Sequence, residues 1–263
     1  MSQAELSYLL PLFNLASSLV DDDDVEHMEM GLGEIAPDSL LAGDDRDLTG
    51  YWVSMVVTNG ITTSLDHVVT LRDNVVRDRG AITLNAPWTL LRAAVESAAT
   101  AVWVMDSGQR ATRRGRALRL WHYDFGQRQL WENDTGRVPP PRGSSGRGRA
   151  KEVLALGTAL GIKPTQISTD INYADIVGHG AVAVGFDRTE ARARWREASA
   201  FAHGRSWPLL ALTSPTAAQE IEGGFGLSLT LNEERLQPLA DLALELLNGA
   251  LTRYAELADS SDV

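Results

Sequence analysis

The chain has 263 residues, 44% of them apolar, no cysteine, and 35 acidic against 24 basic side chains for a net charge of −11. That length and apolar content suffice for a packed core in one or two domains. The lack of cysteine excludes a disulfide framework, a thiolate nucleophile and a thiolate-bound metal, and it fits a cytoplasmic setting.

Charge is arranged in blocks. Residues 1–50 carry twelve acids and one base, Arg46, whereas residues 110–151 carry eleven of the 24 Lys and Arg against Asp124, Glu132 and Asp134 alone. The global negative charge argues against a general nucleic-acid coat, because phosphate neutralisation needs excess cations on the contacting face. A local basic face can still receive RNA, an acidic partner protein, or the chain's own acidic arm.

Along the chain, Glu5 to Val20 reads as a short helix interrupted by Pro11. Without a basic leader, and followed by Asp21 to Asp24, it is expected to be neither a signal peptide nor a membrane span. Asp21 to Leu48 is a loop-like, partly ordered acidic arm with one turn near Asp38–Ala42. Tyr51 to Arg79 reads as two helices, or one kinked at Asn59-Gly60. Asn85-Ala86-Pro87-Trp88 starts a helix over 87–106, whose Leu90, Leu91, Ala94, Val95, Ala98, Ala101 and Val102 make a broad apolar band.

After Gly108 a helix over 109–131 carries Ala117, Leu118, Leu120 and Phe125 on one side and arginine on the other. Asn133 to Arg149, rich in Pro, Gly and Ser, is expected to be a mobile loop. Helices are predicted over 150–160 and 165–177, with Gly178-His179-Gly180 separating them from Ala181-Val-Ala-Val-Gly. Further helices are expected over 189–202, 207–221 and 232–258, with an isolated strand near Leu227–Leu231. The fold class that follows is all-α. We expect a bundle of about eight helices, with residues 1–50 as the arm, 51–263 as a single helical domain, and a flexible loop over about 134–149.

No phosphate loop, His-Glu-x-x-His, Gly-x-Ser-x-Gly or Cys pair occurs. No cofactor and no metal are therefore expected; His27 and His179 each lack a second histidine at ligand spacing.

Two constellations remain. In the first, Arg116, Arg119 and His122 follow one another at three-residue spacing on the arginine helix. A cation beside an imidazole suits metal-independent ribonucleolysis, with His122 shuttling a proton and Arg116 and Arg119 stabilising phosphorane charge. Arg113, Arg114, Trp121 and Arg128 would extend the site as a binding surface. In the second, Trp88, Arg92 and Glu96 on one helix face Ser199, His203 and Trp207 from another. That set reads as a polar network fixing helix register, as a serine-histidine-carboxylate set in which His203 activates Ser199, or as the lining of a small-molecule pocket.

Arg116 to His122, with five residues between, resembles the motif of the HEPN superfamily of all-helical ribonucleases and RNase-derived binders. Residues 65–210, through Ala86–Trp103 and Trp195–Trp207, are similar to uncharacterised actinobacterial all-helical proteins that are themselves distantly HEPN-like. The resemblance implies an RNA-directed protein in a toxin or defence role, either an endoribonuclease or a binder. It also implies a homodimer, since one helix presents a single histidine and this chemistry uses two proton carriers. The alternatives are a non-enzymatic interaction or regulatory protein whose basic helix binds an acidic surface, and a small-molecule-binding bundle.

Overall fold

The computed structural model describes residues 7–20, 32–78, 82–137 and 145–259. Its architecture is mostly helical, as the apolar periodicity requires, with eleven α-helices and one hairpin among the described residues. The helices are α1 (Leu10–Leu19), α2 (Leu40–Asp45), α3 (Val53–Arg77), α4 (Ala86–Met105), α5 (Arg110–Thr135), α6 (Gly146–Ala159), α7 (Pro164–Ser168), α8 (Tyr173–Ala183), α9 (Arg188–Ala202), α10 (Ser206–Leu212) and α11 (Glu233–Ala258). β1 (Ser214–Ile221) and β2 (Gly224–Thr230) pair antiparallel. No described helix is long and apolar enough to cross a membrane.

Several elements differ from expectation for identifiable reasons. α3 runs unbroken through Asn59-Gly60. The expected helix over 165–177 is instead two, α7 and α8, and Gly178-His179-Gly180 lies inside α8 rather than ending a helix. A Cβ on Gly180 would stand 3.1 Å from the Ala99 backbone, so this glycine serves close helix approach. The expected 207–221 helix stops at Leu212, because Pro215 cannot continue a helix. The chain enters a hairpin whose two-residue turn, Glu222-Gly223, uses the positive φ of Gly223. A bulge between Pro215 and Ala217 shifts the register of β1.

The loop expected over 134–149 is shorter than its composition suggested. α5 continues to Thr135 and ends on Gly136 in the left-handed conformation, while Ser145 caps α6 by accepting from the Gly148 N–H. The Pro-rich stretch 138–144 lies outside the described residues, as do the four aspartates of the arm.

The chain divides into two compact units. One comprises 1–32, 60–100 and 174–251, with Leu12, Ile61, Leu65, Trp88, Leu91, Ala98, Leu236 and Leu246 among its buried residues. The other comprises 33–59, 101–173 and 252–263, burying Leu41, Leu48, Val57, Met105, Leu118, Val153 and Ile167. Part of the acidic arm thus belongs to the same unit as the arginine helix.

Candidate functional site

Four arginines of α5, Arg113, Arg114, Arg116 and Arg119, donate to backbone carbonyls at or just beyond the carboxyl ends of other helices. A helix leaves its last carbonyls without an internal partner and carries partial negative charge there, so cations are favoured at that end. At the end of α2, Arg114 donates from Nε to the Asp44 carbonyl at 2.7 Å, from Nη2 to that of Gly43 at 3.0 Å, and also to that of Arg46. At the end of α4, Arg116 Nη1 donates to the carbonyls of Trp103 and Asp106, the latter at 3.0 Å, and Arg113 Nη1 reaches the Ser107 carbonyl at 2.6 Å. At the end of α7, Arg119 donates to the carbonyls of Thr169, at 2.9 Å, and Asp170.

The acidic arm supplies the remaining partner. Arg113, only 2% exposed, grips the fully buried Asp44 with Nε to Oδ2 at 2.5 Å and Nη2 to Oδ1 at 2.8 Å. Arg110 approaches the same carboxylate at 3.5 Å, and Gly43 makes room for it: a Cβ there would stand 2.5 Å from Arg110 Nη2. Arg113 and Arg114, expected on a nucleic-acid surface, are therefore turned inward. The physical reason is a buried carboxylate and a set of orphan carbonyls that need cations more than the solvent-facing side does.

Farther along α5, Arg128 pairs with the buried Glu132 at 2.8 Å, and Glu132 also accepts the Gly146 N–H at the start of α6 at 2.9 Å. Trp121 donates from Nε1 to the Trp52 carbonyl at 3.3 Å, stacks on Phe125 with ring centroids 5.7 Å apart, and meets Tyr51 edge-on at 5.9 Å. Its default role is packing. Tyr51 donates to Glu152 at 2.8 Å and accepts from Arg149 at 3.2 Å. Burial pushes the Tyr51 phenol above its ordinary value, a shift that the Arg149 hydrogen bond opposes.

Arg116 and Arg119 are brought together around the indole of Trp103, with guanidinium carbons 5.3 and 5.8 Å from the ring centroid. They line a cleft of about 560 Å³ with Trp103, Gln109, Thr112, Gly161, Ile162, Gln166 and Thr169. His122 is not among the lining residues. It is half-buried, and among the described residues no group hydrogen-bonds to it. The three sequence-predicted catalytic residues thus separate into an arginine pair on one cleft and a histidine outside its lining.

The second constellation assembles in part. Arg92 bridges Glu96 at 2.7 Å and the Ser199 hydroxyl at 3.2 Å, and Trp195 Nε1 donates to Glu96 Oε2 at 2.9 Å while its ring lies 5.7 Å from the Arg92 guanidinium. His203 is exposed and contributes its backbone N–H to the C-cap of α9, so Ser199 is held by arginine rather than activated by imidazole. Trp88 is fully buried and stacked on Phe201 at 4.5 Å; Trp207 is 47% exposed. Arg92, Glu96, Ser199 and Trp195 thus form a connected polar network, and Trp195 is not among the candidate site residues of the sequence.

Asp44 and Trp103 are not among the candidate site residues of the sequence. Asp44 lies in the acidic arm, and its only signal is the neighbouring Leu41 and Gly43 of a short amphipathic turn. Among the described residues no three His, Asp or Glu side chains gather in a metal-binding group. In comparison with known proteins, no family model matches the chain, and no curated protein and no solved structure gives a match.

Proposed function

We propose that this chain is a non-enzymatic binding protein whose arginine helix organises a receptor instead of a catalytic centre. The observation that carries this reading is the Arg113–Asp44 pair. The basic helix already holds a buried segment of its own acidic arm, and its neighbours Arg114, Arg116 and Arg119 are engaged by helix-terminal carbonyls. Phosphoryl transfer needs donors aimed at the place where charge develops and a proton carrier within reach of it. Here the lining of the cleft that holds Arg116 and Arg119 does not include His122.

The test is incubation of the protein and its His122→Ala variant with a mixed RNA pool without divalent metal. The binding reading expects no cleavage by either. Cleavage by the wild type that is lost in the variant would replace it with the HEPN-like ribonuclease reading.

A further inference from the structure

The cleft beside Trp103 has an electrostatic character that its structural role does not explain. Arg116 uses only one of its terminal nitrogens, Nη1, for the carbonyls of Trp103 and Asp106. Its Nε and Nη2 have no hydrogen-bond partner among the described residues, and no described carboxylate lies within the 4 Å range of an ion pair. The Nε/Nη2 edge of a guanidinium is a fork that matches two oxygens of a carboxylate or phosphate. Burial pushes this guanidinium below its ordinary value, with only the more distant Asp106 opposing the shift.

The rest of the lining is rich in donors and has no acid. Arg119 adds a second positive charge on the same ring, and Gln109 and Gln166 place amides on the wall. Gln166 already uses its Oε1 to accept the Lys163 N–H, which leaves its amide nitrogen as the outward donor. Space is preserved by Ala111, Gly115 and Gly161; a Cβ on Gly161 would meet nothing within 4 Å. A volume of about 560 Å³ falls within the usual range for small-molecule sites, roughly 300–1,000 Å³.

We propose that this cleft is a binding site for a small organic oxyanion, a carboxylate or phosphate ester, gripped bidentately by the Nε/Nη2 edge of Arg116 while Nη1 stays anchored to the end of α4. The inference deepens the binding reading by naming the ligand class. Arg116 is held from behind by backbone carbonyls, so the fork is preorganised and little rotamer freedom is lost on binding. A neutral molecule of the same shape would leave the half-buried cation without a counter-charge, and the site therefore discriminates by charge.

The experiment titrates isotope-labelled full-length protein with sodium phosphate and, separately, sodium benzoate, at ionic strength held constant with chloride. Benzamide serves as the neutral control. The readout is the Arg116 Nε–H resonance, assigned by its loss in Arg116→Lys. One or both anions should shift it saturably and benzamide should not; benzoate alone would identify a carboxylate ligand, phosphate alone a phosphoryl ligand. In the variants affinity is read from the backbone amide resonances of the lining residues Gly115 and Gly161; it should fall about tenfold or more in Arg116→Gln and stay unchanged in Arg147→Gln, which alters an exposed arginine outside the cleft.

Because Arg116→Gln also removes a helix cap, Ala111→Phe provides a second variant that fills the cleft and leaves the guanidinium in place; it should abolish benzoate binding. The proposal is overturned if neither anion shifts the resonance through the millimolar range. It is equally overturned if Arg147→Gln weakens binding as much as Arg116→Gln, or if Ala111→Phe binds normally. Cleavage of RNA that depends on His122 would sink the binding reading while leaving this titration unaffected, so the two failures are distinguishable.

Discussion

Arg113 and Asp44, 69 positions apart, form a two-pronged ion pair with the guanidinium 2% exposed and the carboxylate fully buried. Breaking such a pair from one side leaves a charge in a low-dielectric site and costs about 3–5 kcal/mol, far more than a surface pair. Asp44→Ala should therefore lower stability by about that amount in chemical denaturation. The double variant with Arg113→Met should recover a large part of it, because the stranded cation is gone. If the single variant costs less than about 1 kcal/mol, the pair is not buried in solution.

The same charge arrangement explains how much of the fold was legible in the sequence. The apolar periodicity of α4, α9 and α11 placed those helices within a residue or two, because each buries a continuous stripe. The arginine stripe of α5 was legible as a charged face but not as an internal one. What decides its direction is the set of orphan carbonyls at the ends of α2, α4 and α7, and carbonyls leave no mark in a sequence. The hairpin of β1 and β2 was hidden for another reason: Trp207 to Leu212 starts a helical pattern, and only Pro215 and the Gly223-Gly224 pair signal that it ends. The Arg92–Glu96–Ser199 network was legible in part because Arg92 and Glu96 share a helix face at four-residue spacing and Ser199 lies among the alanines at the end of α9.

Arg119 tests the capping account away from Asp44. Its guanidinium bonds the carbonyls of Thr169 and Asp170 just beyond α7, a five-residue helix with little stability of its own. In Arg119→Ala, amide hydrogen exchange over 164–170 should accelerate selectively, corresponding to about 1 kcal/mol of local opening, with α9 and α11 unaffected. Uniform acceleration throughout the chain would instead indicate a global role.

Gly146 is pressed against α5: a Cβ on it would stand 2.5 Å from both the Gln129 nitrogen and the Phe125 carbonyl oxygen. These are backbone atoms and cannot yield by rotamer change. Gly146→Ala should destabilise by about 1–3 kcal/mol even though alanine favours helices. An unchanged or raised melting temperature would show that α6 does not approach α5 so closely.

On α11, burial and the neighbouring Glu245 raise the Asp241 carboxyl above its ordinary value of 3.8. A carboxyl whose folded value is raised costs nothing below the unfolded value and loses stability as pH rises through the folded one. Asp241→Asn should accordingly stabilise the protein at pH 7 by a few tenths of a kcal/mol, the scale of a like-charge pair at four-residue spacing. The gain should vanish below about pH 3.8, where both states of the wild type are protonated. Denaturation curves of the two proteins at pH 7 and pH 3 measure the difference.

The central claim is that the arginines of α5 serve helix ends and a buried carboxylate rather than a polyanion, and RNA binding as a function of salt tests it most directly. With a labelled single-stranded RNA between 50 and 200 mM salt, the account predicts a slope of log affinity against log salt no steeper than about −1, the contribution of one phosphate at Arg116. A slope of about −3 or steeper, reduced by Arg114→Ala and Arg119→Ala, would show that several of these arginines meet phosphate together and would contradict the internal role assigned to them.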